Sequence, residues 1–369
     1  MYPNHKPTES ERIKKLMRVL VIGGTGFISS AVVRQLYQQG HTLIIVHRGQ
    51  TQAELPAGIQ QLLAKRAQIP DFLQEFKHFA PEVVLDMIPN GEQDAQTVMQ
   101  TFEGIAQRVV AISSGDVYRA YGRVLGTEPG PVDPVPLTEQ APLREKLYPY
   151  RDRGPAGQEH EWMQTYEKIL VERTVMSHPR LPGTILRLPM VYGPRDNQHR
   201  LFPYLKRMDD HRPHIIVEEG SAYWRWSRGY VEHVAAAIVL AVTDPRATGR
   251  IYNVSDEPTL TIAQWIRAIG DVAGWHGTII SLPQAQLPAA LHSKINTSQD
   301  LVYNTTRIRQ ELGYRELVSL SEALNQTIAW QRANPPSAID TDQFDYALED
   351  AVLAEVSGNR ATTSDEQQS

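Results

Sequence analysis

Short apolar runs alternate with amphipathic stretches over the first half of the chain. Leu20, Val21 and Ile22 form a continuous apolar run with β-branched members, the pattern of a strand buried on both faces. Three glycines follow. Phe27, Ile28, Val32, Val33 and Leu36 then recur at helical spacing until Gly40, where a left-handed cap is expected. The alternation repeats, with strands predicted at Thr42–Val46, Ile59–Leu63, Glu82–Met87, Arg108–Ile112 and Gly183–Leu188. Between them the periodicity predicts helices near Phe72–Phe79, through Val98, Phe102 and Ile105, and over Glu159–Met176. Strand and helix in alternation predict an α/β fold, a doubly wound parallel sheet whose ligands lie at the carboxyl ends of its strands.

On an ideal helical wheel, Trp162, Met163, Tyr166, Ile169, Leu170 and Met176 form an apolar stripe. Gln164, Lys168 and Glu172 share the other side. Tyr166 is thereby expected in the core. The Pro- and Gly-rich stretch Gly122–Pro155 suits a long surface loop over the crevice. Beyond Leu188 the order is less regular, with a helix near Leu201–Arg207, a strand at His214–Val217 and the aromatic-basic run Tyr223–Arg228. Helices over Val231–Val242, Ile262–Val272 and Leu317–Trp330, and a strand at Ile251–Val254, complete a smaller α+β region expected to pack over the crevice. The expected division is a tail over 1–16, a dinucleotide-binding domain over 17–188, the smaller and partly interleaved region over 189–335, and 336–369. In the last segment Phe344, Leu348, Val352 and Val356 share a helical face that predicts a docking acidic helix, before a polar Ser357–Ser369 tail expected to be disordered.

Composition narrows the chemistry. A net charge of −5 gives no electrostatic case for nucleic acid or an acidic membrane surface, and no apolar run approaches a bilayer span. The absence of cysteine removes disulfides and thiol catalysis. The 12 histidines show no metal-ligand spacing, so no metal site is expected. The charged, polar first fifteen residues lack an apolar leader core, and cytoplasm is the expected compartment.

Gly23-x-x-Gly26-x-x-Ser29 lies between the first strand and helix, where backbone N–H groups can hold a pyrophosphate. Gly23, Gly26, Phe27 and Ile28 are therefore candidate cofactor-binding residues. The second strand ends in His47-Arg48, where a carboxylate would select NAD; an arginine can pair with a 2′-phosphate, so NADP is favoured over NAD. Arg225 and Arg228, interleaved with Trp224 and Trp226, are candidates to grip a substrate diphosphate.

Together IGGTGFIS, SSGDVY after the fifth strand, Lys168 with Glu172, LRLPMVYGP after the sixth strand, NVSDEP and RIRQELGY fall in one order over Met17–Arg332. In that order they resemble the extended short-chain dehydrogenase/reductase superfamily, the NAD(P)-dependent epimerases and dehydratases. The resemblance implies a Rossmann-type fold, an NAD(P) cofactor, a nucleotide-sugar substrate bound partly through Tyr192, and a homodimer. It implies that Ser114 bonds the reacting oxygen, that Asp116 stands where sugar dehydratases carry a catalytic acid, and that Lys168 holds the nicotinamide ribose. The family tyrosine four residues before that lysine is absent, with Gln164 in its place. The acid/base role then falls to Asp116 or to a loop tyrosine, Tyr148 or Tyr150. A non-redox dinucleotide-binding regulator, an RNA-binding relative and an NADP-dependent reductase are the competing readings.

Overall fold

The computed structural model describes residues 16–51, 55–151 and 161–366. The expected tail before Leu16, and the junction between the loop and the Lys168 helix, lie outside the described residues.

The first half runs β1 (Arg18–Ile22), α1 (Phe27–Gln38), β2 (Thr42–His47), β3 (Gln60–Leu63), α2 (Leu73–Phe79), β4 (Val83–Asp86), α3 (Glu92–Phe102) and β5 (Arg108–Ser114). It continues with α4 (Arg119–Val124), α5 (Glu161–Thr165), α6 (Lys168–Met176) and β6 (Gly183–Leu188). The second half holds β7 (Met190–Tyr192), α7 (Phe202–Asp209), β8 (His214–Glu218), α8 (Glu219–Tyr223), β9 (Arg228–Tyr230), α9 (Val231–Thr243) and β10 (Ile251–Asn253). It ends with α10 (Ile262–Ala273), β11 (Thr278–Leu282), α11 (Thr306–Leu312), α12 (Leu320–Ala333) and α13 (Tyr346–Glu366).

Seven strands pair in parallel in the order β10-β6-β5-β4-β1-β2-β3. Alternate residues of β1 feed two cores, as a doubly covered sheet requires. Val19 and Val21 pack with Val32, Val33 and Leu36 of α1 and with the apolar face of α9. Leu20 and Ile22 pack on the opposite side with Phe76, Phe102, Val171 and Val175, from α2, α3 and α6. Strand order reverses at β1, and the crevice between the ends of β1 and β4 is where a doubly wound sheet binds its ligand. None of the described helices is long and apolar enough to cross a membrane.

Three features differ from the sequence pattern. β10 joins the edge of the main sheet beside β6, so the segment after residue 188 returns to complete the first layer. α13 runs on to Glu366, through most of the polar stretch expected to be disordered, and its Val352 packs against Leu282 and Leu287. The helix expected over Glu159–Met176 is broken: α5 ends at Thr165 and α6 starts at Lys168.

The break has a local cause. Glu167 leaves helical geometry (φ −157°, ψ 98°) and caps α6, its carboxylate accepting from the Ile169 N–H at 2.8 Å. Glutamate is not a favoured N-cap. Here the same carboxylate also meets Arg144 at 3.2 Å and accepts from the Tyr148 N–H at 2.6 Å, with both charged side chains sealed from solvent. A guanidinium buried without a counter-charge would be strongly destabilising. Pairing with Arg144 fixes Glu167, and the helix yields.

Candidate active site

The glycine turn builds the first part of the site. Gly23 adopts φ +83°, and a Cβ there would stand 2.7 Å from Ile88 Cγ1, so both backbone and space require glycine. Ser29 takes the place of the third glycine by closing the turn: its hydroxyl accepts from the Gly26 N–H at 2.8 Å, at the start of α1. A Cβ on Gly26 would meet only that hydroxyl, at 3.2 Å, leaving open space in front of the helix. Phe27 and Ile28 supply first-turn amides that have no acceptor within the helix. A cleft of about 800 Å³ opens here, lined by Gly23, Gly26, Arg48, Lys65, Ile88 and Asn90 among others. Its size and the Gly26 cradle fit a dinucleotide.

Cations mark the far end of that cleft. Arg48 and Lys65 are exposed at the ends of β2 and β3. Arg66 also lines the cleft, but its guanidinium is bound to both oxygens of Asp86 at 2.7 Å and to the Ile88 carbonyl at 2.9 Å. Arg48 and Lys65 are therefore the exposed cations at this end of the cleft.

The second part lies at the end of β5. Ser114 is its last residue, and the Ser114 hydroxyl accepts from the Asp116 N–H at 3.2 Å. Asp116 is buried in the turn that follows, held under Tyr303, whose hydroxyl leaves no room for a side chain at Gly115. Asp116 Oδ2 accepts from Tyr166 at 2.8 Å and from Tyr150 at 3.0 Å. Tyr121 and Tyr150 share a further hydroxyl contact of 3.1 Å. Oδ1 is buried with no hydrogen-bond partner among the described residues. Burial pushes the Asp116 carboxyl up, against the opposing pull of Tyr166, Arg144, Lys168 and Tyr150. The Tyr166 phenol is pushed well above its ordinary value by burial and by the Asp116 charge, while a Ser114 hydrogen bond acts the other way.

Tyr166 is thus a correction to the sequence reading. It lies outside either helix, so the helical wheel that assigns it to an apolar stripe does not apply. Gln164 falls on the other side of the break, beside Tyr148 and Arg151 in a separate pocket, and does not share a face with Lys168. Of the two loop tyrosines, Tyr150 reaches Asp116 and Tyr148 instead stacks on Arg151 at 3.8 Å. An Arg144–Glu167 pair across 23 residues left no mark in the local pattern.

Lys168 connects the two parts. Its ammonium donates to the Pro89 carbonyl at 2.6 Å and the Ile112 carbonyl at 3.0 Å. Pro89 stands between Ile88 and Asn90, both on the cleft wall. The same ammonium lies 5.4 Å from the centre of the Tyr166 ring, and burial lowers its pKa to about 8. Two carbonyls use two of its three donors.

The arginine pair divides. Arg225 is committed to Asp300, at 2.9 and 2.7 Å through its side chain. Arg228 is buried over the Trp265 ring at 4.6 Å and bonds the Trp226 carbonyl at 3.1 Å, with its Nε unpartnered among the described residues. Tyr192, whose hydroxyl is also buried with no partner among the described residues, packs 5.0 Å from Trp265. Tyr192 and Arg228 line one cavity of about 30 Å³, large enough for a water. Three positions along an extended chain place side chains on opposite faces, so the two arginines do not converge.

A doubly wound sheet with a glycine-turn cleft at its switch point, and a hydroxyl, carboxyl and lysine beside it, defines a dinucleotide-dependent enzyme of the Rossmann class. The chain belongs to the NAD dependent epimerase/dehydratase family, whose sequence profile matches residues 19–255. A 3-diazoavenalumate denitrifying reductase of a Streptomyces species is 27% identical over 287 residues, covering 76% of this chain and 87% of the relative. The UDP-glucose 4-epimerase of Thermotoga maritima, solved with UDP-glucose, is similar with a TM-score of 0.62 at 19% identity, over 86% of this chain and 99% of that one. WbmG of Bordetella bronchiseptica, solved with NAD, gives 0.64 at 17% identity over 88% and 96%. At those identities the two structures show a common fold.

Proposed function

We propose that this protein is an NAD(P)-dependent enzyme that transforms a nucleotide sugar or a similar hydroxylated substrate by hydride transfer, in the cytoplasm. The observation that carries this reading is the bridge made by Lys168, from the Pro89 carbonyl beside the cofactor cleft to the Ile112 carbonyl, two residues before Ser114 on β5. A bound nicotinamide would supply the hydride donor or acceptor. The pyrophosphate would rest on the Gly23–Ile28 turn, and Lys168 has one donor left for the nicotinamide ribose. Ser114 would hold the reacting oxygen, with Asp116 behind it as acid and base. The buried Nε of Arg228 and the hydroxyl of Tyr192, beside one small cavity, support a polar contact to the substrate on this side of the crevice.

The test is a binding titration with NAD, NADH, NADP and NADPH, followed by turnover of nucleotide sugars and their keto forms with the preferred cofactor. Arg48→Ala should weaken NADP about tenfold, the loss of one charge-assisted contact, and leave NAD unchanged. Failure of all four forms to bind would refute the reading.

A further inference from the structure

The corner contains more proton-bearing groups than the function just proposed requires. Tyr121, Tyr150, Asp116 and Tyr166 form one hydrogen-bonded row, with hydroxyl and carboxyl contacts of 3.1, 3.0 and 2.8 Å. Three segments distant in sequence contribute to it. Their rings pack edge to face, with Tyr150 5.1 Å from Tyr166 and 5.8 Å from Trp162. Tyr121, Tyr150 and Tyr166 each keep partial solvent exposure, so the row is in reach of solvent.

We propose that Tyr166 is the catalytic proton donor of this enzyme, and that Asp116, Tyr150 and Tyr121 form the relay that reloads it. The inference rests on the nicotinamide-dependent reading above and adds to it a direction, the reduction of a substrate carbonyl. In the step, the Tyr166 O–H breaks as an O–H forms on the substrate oxygen held by Ser114. The Asp116 carboxyl then returns a proton to the phenolate, and solvent restores the carboxyl through Tyr150 and Tyr121. The electron pair comes as hydride from a reduced nicotinamide, so carbonyl and NAD(P)H become alcohol and NAD(P)⁺.

Several features favour donation over abstraction. Burial raises the pKa of both Asp116 and Tyr166, which favours the proton-bearing form of each. Groups facing Asp116 are Tyr166, Tyr150, Lys168, Arg144 and, more distantly, Tyr303. Arg144 is already paired with Glu167, and Lys168 is held by two carbonyls. Both cations are thereby fixed in place without bonding to the carboxylate. Oδ1 has no partner among the described residues and can carry a proton. The break at Tyr166–Glu167 brings the phenol to Asp116, a position that a tyrosine on a continuous helix at this spacing would miss.

The experiment has two arms. In the free protein, carbon-13 NMR of labelled aspartate and tyrosine should show the Asp116 carboxyl carbon and the Tyr166 Cζ changing together with pH. Tyr166→Phe should shift the Asp116 titration, and Tyr150→Phe should shift it less. Independent titration of the two groups would overturn the relay. With a carbonyl substrate, Tyr166→Phe should lower kcat about 100-fold or more, with cofactor Kd and substrate KM unchanged. Tyr150→Phe should slow reloading, giving an intermediate kcat and a larger solvent deuterium isotope effect. A Tyr166→Phe enzyme with wild-type kcat and pH profile would refute the inference and leave the parent reading standing. A wild-type protein that binds none of the four cofactor forms would refute the parent reading.

Discussion

The cofactor cleft and the proton-bearing corner meet at Lys168, yet they are built on different principles. The glycine turn of the cleft is made within one strand–turn–helix unit: Gly23 needs its positive φ, Gly26 leaves space, and α1 presents its N-terminus within a few residues of both. The corner is made by β5, the loop carrying Arg144 and Tyr150, and the segment at Tyr166–Glu167, none adjacent in sequence. Local backbone geometry holds the first together. A sealed ion pair and a shared carboxylate hold the second, so the two halves should fail separately.

The largest effect is expected at Glu167. Glu167→Ala leaves the Arg144 guanidinium buried without its counter-charge and α6 without its cap, which should cost about 3–5 kcal/mol in chemical denaturation. The surviving folded fraction should bind dinucleotide with wild-type affinity; equal damage to the cleft would merge the two regions into one unit.

Gly26→Val is the converse. The backbone at φ −79° accepts a side chain, and a Cβ would meet only Ser29 Oγ, so stability should be nearly unchanged. The added methyls fill the space the pyrophosphate needs, and dinucleotide affinity should fall about 100-fold, near 3 kcal/mol. An unaltered Kd would mean that the turn has no part in binding.

The smallest effect sharpens the character of the corner. Because burial raises the Asp116 pKa, the folded state holds this proton more tightly than the unfolded chain does. Its destabilising contribution is absent below the ordinary carboxylate range, grows as pH rises through the raised folded value, and is complete above it. Asp116→Asn should therefore be more favourable to stability at alkaline pH than in acid. Urea denaturation across pH measures it, and a pH-independent difference would show that Asp116 acts only through its hydrogen bonds. Lys168 works in the opposite sense: its pKa is lowered to about 8, so its contribution to stability improves between about pH 8 and its ordinary value near 10.5.

The sequence by itself determined the alternating strands and helices, the glycine turn, and the placement of Ser114 and Asp116 just past a strand end. Each depends on periodicity or backbone conformation over a short span, and those constraints act wherever the segment lies. Only the tertiary structure decided the rest. An ideal wheel continues a helix through Tyr166, but Glu167 answers to Arg144, 23 residues away, and the break delivers the phenol to Asp116. The arginines of the aromatic-basic run look like one grip in sequence, while Asp300, far along the chain, takes Arg225 and leaves Arg228 beneath Trp265. β10 completes the main sheet because parallel pairing with β6 satisfies its backbone, whatever region its neighbours belong to. A buried charge or an open strand edge must find its partner in space, and that partner's position is written nowhere in the local pattern.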